Sequence, residues 1–77
     1  MPQKAYVLIN CSTFGQGSIL AELLKLEGVK QAHLVSGPFD IIAYVEAPKM
    51  DALMGLIVGK IQTINGVTRT TTCIAIR

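Results

Sequence analysis

The sequence predicts an α+β domain with the element order βαββαβ, in which one four-stranded antiparallel sheet carries two helices on one face. The 77 residues, 51% apolar and 16% charged, fit a single small domain over residues 1–77. The segment Ile64–Val67 resembles Leu26–Val29, 38 residues earlier, and each copy follows a helical pattern and precedes a strand pattern. The Gly37-Pro38 pair predicts a turn between the two halves.

The first half is predicted as strand, helix and strand. The first strand, about Lys4–Cys11, is rich in β-prone residues and is apolar on both faces. Ser18 is predicted as the N-cap of a helix over Ile19–Leu26, whose apolar side chains share one face. A glycine ends that helix, and Val29–Ser36 is predicted as the second strand.

The second half repeats this order. Ile41–Glu46 is predicted as a strand, Lys49–Thr63 as a helix and Val67–Ile76 as the last strand. Gly55 and Gly59 lie on one face of that helix and are interpreted as points of close packing against the sheet or another chain. The complete order is that of the ferredoxin-like, or split βαβ, sandwich.

The sheet face away from the helices is predicted to be open and apolar. A solvated face would show polar residues at alternate positions, but both alternating sets of strand residues are largely apolar. An exposed apolar face of this kind predicts a homodimer with facing sheets. One set is Tyr6, Leu8, Ile42, Tyr44, Ile74 and Ile76, and the other is Val7, Ile9, Ile41, Ala43, Val45, Cys73 and Ala75.

Several functional classes find no support in the composition. The seven Lys and Arg residues are scattered, so no nucleic-acid surface is predicted. Cys11 and Cys73 lack metal-ligand spacing, and His33 is the only histidine, so neither a metal site nor a cofactor is expected. The apolar stretches are shorter than the ~20 residues of a membrane span, and without a signal-peptide pattern a reducing cytoplasmic location is expected.

Two polar features stand at the ends of predicted strands. Asp40 closes the turn and places a carboxylate directly before an apolar strand, which makes it a candidate ligand group. Thr68, Thr70 and Thr72 alternate along the last strand and offer a row of hydroxyl groups, although threonine is also a common residue of edge strands.

The runs Leu34–Ile42 (LVSGPFDII) and Ile64–Thr72 (INGVTRTTT) together resemble the effector domain of the Lrp/AsnC, or feast/famine, transcription regulators. This module is also called the RAM domain, and the resemblance covers nearly the whole chain. The regulators carry an N-terminal helix-turn-helix domain, whereas this sequence starts at the first strand. A stand-alone RAM-type domain without direct DNA binding is therefore expected.

The resemblance implies a non-enzymatic module that binds an amino acid at the interface between dimers and acts in the regulation of amino acid metabolism. It also implies dimers that pair through their sheets and associate into octamer- or decamer-like rings, with full-length regulators as further partners. Asp40 is expected to accept a hydrogen bond from the ligand ammonium, and threonines to donate to its carboxylate. The implied ligand-binding residues are Gly37, Pro38, Phe39, Asp40, Thr70 and Thr72.

Two alternatives remain open at this point. A small dimeric α+β barrel enzyme, such as a monooxygenase or isomerase, would share the fold and would have to use His33 and Tyr44 in an interior pocket. An ACT-like regulatory domain would share the strand order and amino-acid binding. The sequence identifies neither the amino acid nor the size of the ring.

Overall fold

The computed structural model describes residues 2–12 and 15–76 and confirms the ferredoxin-like sandwich, with one four-stranded antiparallel sheet in the order β2-β3-β1-β4. No helix in these residues is long and apolar enough to cross a membrane. The strands are β1 (Gln3–Cys11), β2 (Val29–Leu34), β3 (Ile41–Ala47) and β4 (Val67–Ala75), and the helices are α1 (Gln16–Lys25) and α2 (Met50–Leu56), the latter continuing as a π-helical segment over Ile57–Ile61.

The start of α1 differs from the prediction. The helix begins at Gln16, so Ser18 lies inside its first turn and is not the N-cap. Gly15 occupies the N-cap position with a φ of 92°, without a side-chain cap. Its carbonyl accepts the Ile19 N–H at 2.9 Å. A left-handed glycine therefore starts the helix through the backbone, where the sequence indicated a hydroxyl cap.

The internal repeat appears in the backbone hydrogen bonds that end the two helices. In the first half the Val29 N–H donates to the Leu26 carbonyl at 3.2 Å. In the second half the Val67 N–H donates to the Ile64 carbonyl at 3.1 Å. The two halves therefore leave the helix and enter the strand by the same route.

Gly28 and Gly66 make these two helix-to-strand connections possible. Their φ angles are +99° and +102°, a conformation that side chains with a Cβ rarely adopt. The Gly28 carbonyl accepts the Glu46 N–H at 2.8 Å, and the Gly66 carbonyl accepts the Ser12 N–H at 2.9 Å. Each helix end is thereby attached to a strand end in the other half of the chain.

Each half also contains a β-bulge at the same point of the repeat. The register of β2 against β3 shifts around Lys30, and the register of β4 against β1 shifts around Thr68. Lys30 and Thr68 are 38 residues apart, which is the offset of the sequence repeat. Both edge strands therefore start with an extra, unpaired residue.

The core lies between the helices and the inward face of the sheet. The helices pack mainly on β1, β2 and β3 and leave β4 largely uncovered. The largest fully buried side chains come from β1, β3, α1, α2 and the π-helical segment: Val7, Ile9, Ile19, Leu23, Ile41, Val45, Leu53, Ile57 and Ile61.

The outer face of the sheet is open and apolar at its centre. Tyr6 is 48% exposed, and its ring lies 5.2 Å from that of Tyr44, which faces it from β3. Leu8 and Ile42 form the next cross-strand pair on this face. These four positions follow the predicted alternation.

The predicted faces of β4 are wrong. Cys73 pairs with the outward-facing Tyr6, and Ile74 pairs with the buried Ala5, so Cys73 lies on the open face and Ile74 on the helix side. Ile76 lies beyond the strand and is 95% exposed. Because both alternating sets of β4 contain apolar residues, the pattern alone did not determine which set faces the helices.

The two glycines of the second helical segment do not pack closely against the sheet, so that part of their interpretation is wrong, while packing against another chain stays a prediction. A Cβ added at Gly55 or at Gly59 would meet no atom within 4 Å. Their lack of a side chain is therefore not required by packing within the chain.

Replacing Gly28 by Ala is expected to lower the free energy of unfolding by about 1–3 kcal/mol, since the φ of +99° is strained for Ala. The new Cβ would also lie 2.9 Å from the Glu46 carbonyl oxygen and from Leu56 Cδ2. Gly55→Ala is the control and should stabilise the helix by up to about 1 kcal/mol. Urea unfolding at one protein concentration measures both, and equal midpoints would contradict the assigned role of Gly28.

Candidate ligand-binding site

The turn between β2 and β3 is attached to the end of β1. The Asp40 N–H donates to the Ile9 carbonyl at 2.9 Å, and Asn10 Nδ2 donates to the Pro38 carbonyl at 3.0 Å. Across the turn, the Val35 N–H donates to the Asp40 carbonyl at 2.9 Å. These bonds hold the predicted Gly37–Asp40 segment in a defined position.

Both carboxylate oxygens of Asp40 have partners within the chain. Oδ2 accepts the Cys11 N–H at 2.9 Å, and Oδ1 accepts Gln16 Nε2 at 3.4 Å. The second distance lies beyond the usual range for an N–H···O hydrogen bond, so that interaction is weak. Asp40 therefore joins the turn to the end of β1 and the start of α1, while Oδ1 can take a stronger donor.

The Cys11 side chain lies beside this carboxylate. Burial raises the pKa of the Cys11 thiol, and the negative charge of Asp40 raises it further. Both effects disfavour the thiolate, so Cys11 is an uncharged neighbour of Asp40 at neutral pH.

Thr70 and Thr72 lie on the other side of β1 from the turn. They pair with Ile9 and Val7, which face the core, so both threonines are on the helix side of β4. The Thr70 hydroxyl accepts a hydrogen bond from Gln62 Nε2 at 2.9 Å. Both residues are half-buried because the helices leave this edge of the sheet largely uncovered.

A single chain does not bring the six predicted site residues together. Gly37, Pro38, Phe39 and Asp40 lie where β3 meets β1, and the threonines lie on β4, with β1 between the two groups. A shallow depression of about 320 Å³ at the start of β4 contains Thr70 but no residue of the turn.

Three polar residues of this end of the sheet were missed by the sequence analysis. Asn10, Gln16 and Gln62 each donate a side-chain hydrogen bond to a predicted site residue. Asn10 and Gln16 bond to positions 28 and 24 residues away, so no local sequence signal could have identified them.

His33 and Tyr44 do not form the interior pocket that an enzyme of this fold would require. His33 pairs with Ile42 and Tyr44 with Tyr6, so both lie on the outer sheet face, away from the helices. Burial and the neighbouring Glu46 carboxylate raise the pKa of Tyr44. Within residues 2–12 and 15–76, no group of three or more His, Cys, Asp and Glu could hold a metal ion.

Sequence comparison gives a match over most of the chain. The family model for the Lrp/AsnC ligand binding domain matches residues 4–77. An uncharacterised HTH-type transcriptional regulator of Pyrococcus furiosus is 30% identical over 74 residues, which cover 92% of this chain and 49% of the regulator. The chain spans about half the length of the curated relatives it matches.

Solved structures agree with this match. A Thermus thermophilus protein superposes with a TM-score of 0.92 at 28% identity, covering 97% of this chain and 94% of its own. E. coli AsnC gives 0.91 at 30% identity, with 97% and 51% covered. A feast or famine regulatory protein of M. tuberculosis complexed with L-methionine gives 0.80 at 25% identity, with 97% and 50% covered.

Replacing Asp40 by Ala is expected to lower the free energy of unfolding by about 1–3 kcal/mol, because the Cys11 N–H loses its acceptor. Asp40→Asn keeps an amide oxygen for that N–H and should cost clearly less. Urea unfolding at a fixed protein concentration compares the two variants. An Asn variant as unstable as the Ala variant would show that this hydrogen bond is not what Asp40 contributes.

Proposed function

This chain belongs to the Lrp/AsnC family of ligand-binding domains, and we propose that it is a non-enzymatic cytoplasmic module that binds an amino acid effector in transcription regulation. Its curated relatives are HTH-type transcriptional regulators, and the feast or famine regulatory protein of M. tuberculosis is complexed with L-methionine in its solved structure. The observation that carries the proposal is the carboxylate of Asp40, which is fixed through Oδ2 and only weakly engaged through Oδ1.

The turn offers groups for both charges of an amino acid. The ligand ammonium donates to Asp40 Oδ1 in a charge-assisted hydrogen bond and displaces the weakly bound Gln16 amide. Pro38 has no N–H, but the neighbouring N–H groups of Gly37 and Phe39 remain as donors for the ligand carboxylate. The half-buried Phe39 supplies an apolar wall for the ligand side chain.

A second chain completes the proposed site. In one chain Thr70 and Thr72 lie across β1 from the turn, but they stand on the uncovered helix side of an edge strand. A neighbouring dimer can therefore present its threonine hydroxyls to the turn of this one. In this proposal the ligand lies between dimers and supports their association into a ring of octamer or decamer type, in which full-length regulators of the family can take part.

The open sheet face supports dimerisation with a second copy. Its centre is apolar, and polar or charged residues surround it, as in many protein interfaces. The centre contains Tyr6, Leu8, Ile42 and Tyr44, and the rim contains Lys4, Gln31, His33, Glu46 and Arg69.

A thermal-shift screen of the twenty amino acids at millimolar concentration should identify at least one ligand, because a ligand that binds only the folded state raises its stability. For that ligand, Asp40→Asn should weaken binding by about 1.5–3 kcal/mol, more than tenfold, in titration calorimetry. Asp51→Asn, at the exposed start of α2, is the charge-matched control. Equal affinities of the two variants would refute the role of Asp40.

Tyr6→Lys should dissociate the dimer, since it places a charge at the centre of the open face. His33→Lys adds a similar charge at the rim and should leave the dimer intact. Sedimentation velocity at micromolar concentration measures both variants beside the wild type. A wild-type chain that sediments as a folded monomer would refute the facing-sheet dimer.

A further inference from the structure

A second cleft, larger than the depression at the start of β4, plays no part in the proposed function. It lies at the end of the sheet opposite the Gly37–Asp40 turn. The cleft lies where α1 ends and β2 begins, beside the end of β3 and one side of α2, and it has a volume of about 880 Å³. Volumes of roughly 300–1,000 Å³ are typical of small-molecule sites. The whole cleft belongs to one chain.

The lining combines an apolar wall with lysine side chains. Leu26 and Leu56 contribute apolar surface, and Lys25, Lys30 and Lys60 contribute ammonium groups. Among residues 2–12 and 15–76, the ammonium group of none of these three lysines has a hydrogen-bond or ion-pair partner. The arrangement suits a ligand that has both an apolar part and a negative charge.

Carboxylates oppose this charge only in part. Glu27 and Glu46 both line the cleft. Glu46 is the cross-strand neighbour of Lys4, and its carboxylate acts on Tyr44, so its side chain lies on the open sheet face. Glu46 therefore lines the cleft with its backbone. The lining therefore combines three lysines with one glutamate side chain, which gives the cleft a net positive charge.

The position of Lys30 is set by the internal repeat. Lys30 is the extra residue of the β2 bulge, and its counterpart Thr68 is the extra residue of the β4 bulge. A bulge redirects side chains at the edge of a sheet. The β4 bulge holds Thr68 beside the first candidate site, and the equivalent β2 bulge places Lys30 in the cleft at the opposite end of the sheet.

Gly55 adds no side chain to the cleft. It lines the cleft, and a Cβ at this position would meet no atom within 4 Å, so packing within the chain does not require glycine. Gly59 is equally free of neighbours but lines only the adjoining depression. A large side chain at position 55 would therefore block the cleft, whereas the same side chain at position 59 would leave it open. The two substitutions form a matched pair.

We propose that this cleft binds an apolar carboxylate without an amino group, such as an aliphatic or aromatic acid. The carboxylate contacts the lysine ammonium groups, and the hydrocarbon part lies on Leu26 and Leu56. This site is separate from the proposed amino-acid site, since the two lie at opposite ends of the sheet.

Titration calorimetry with butanoate, hexanoate and octanoate tests the proposal. Affinity for the wild-type chain should rise about fourfold for each added methylene, as expected when the chain leaves water. Gly55→Leu should abolish octanoate binding, and Gly59→Leu should preserve it. Circular dichroism and thermal unfolding establish that both variants are folded. Affinity independent of chain length, or equal binding by the two variants, would overturn the proposal.

Two further measurements separate this site from the amino-acid site. Asp40→Asn should leave octanoate binding unchanged, and Gly55→Leu should leave amino-acid binding unchanged. Loss of octanoate binding in Asp40→Asn would show that the acid uses the turn and would overturn this inference alone. Absence of octanoate binding, together with a change of oligomeric mass in Gly55→Leu, would identify the cleft as a protein interface and also overturn it.

Discussion

The backbone carbonyls of Gly28 and Gly66 are the points on which the rest of this small domain depends. Each accepts a hydrogen bond from a strand end in the other half of the chain, so each half supplies an acceptor that the other half uses. A Cβ at either glycine would lie 2.9 Å from a neighbouring atom, and the positive φ at the residue directly before each strand turns the chain from the helix end into β2 or β4. β2 and β4 begin directly after these glycines, and each bulge lies two residues beyond its glycine.

Asp40 combines a structural role with the proposed binding role. A carboxylate that accepts a backbone N–H through one oxygen has its other oxygen held in a fixed direction, so a ligand loses little free energy in ordering it. The weak Gln16 bond occupies that oxygen, and in the proposed site a charged donor displaces it. Stability and binding can therefore be separated by an Asn substitution, which retains the first interaction and weakens the second.

The element order could be predicted because hydrophobic periodicity and turn residues are local signals. The start of α1 could not, since Gly15 acts through its backbone conformation and leaves no capping side chain to read. The faces of β4 could not either, because a pattern that is apolar on both sides permits either register. The turn at Gly37 was visible in sequence, whereas the partners of Asp40 were not, as the Cys11 amide is 29 residues away.

The two ends of the sheet share the same backbone features, a glycine with a positive φ followed by a β-bulge. They differ in whether a binding site there needs a second chain. At one end the Thr68 hydroxyl bonds to the Asn10 carbonyl at 3.1 Å, and the remaining polar groups lie on both sides of β1, so the amino-acid site proposed there includes a neighbouring chain. At the other end Lys30 faces a cleft built by one chain. By linkage, a ligand held between dimers, as proposed for the first end, would shift the assembly equilibrium directly. A ligand at the second end stabilises the folded chain itself and alters assembly only if the assembled and free chains bind it with different affinity.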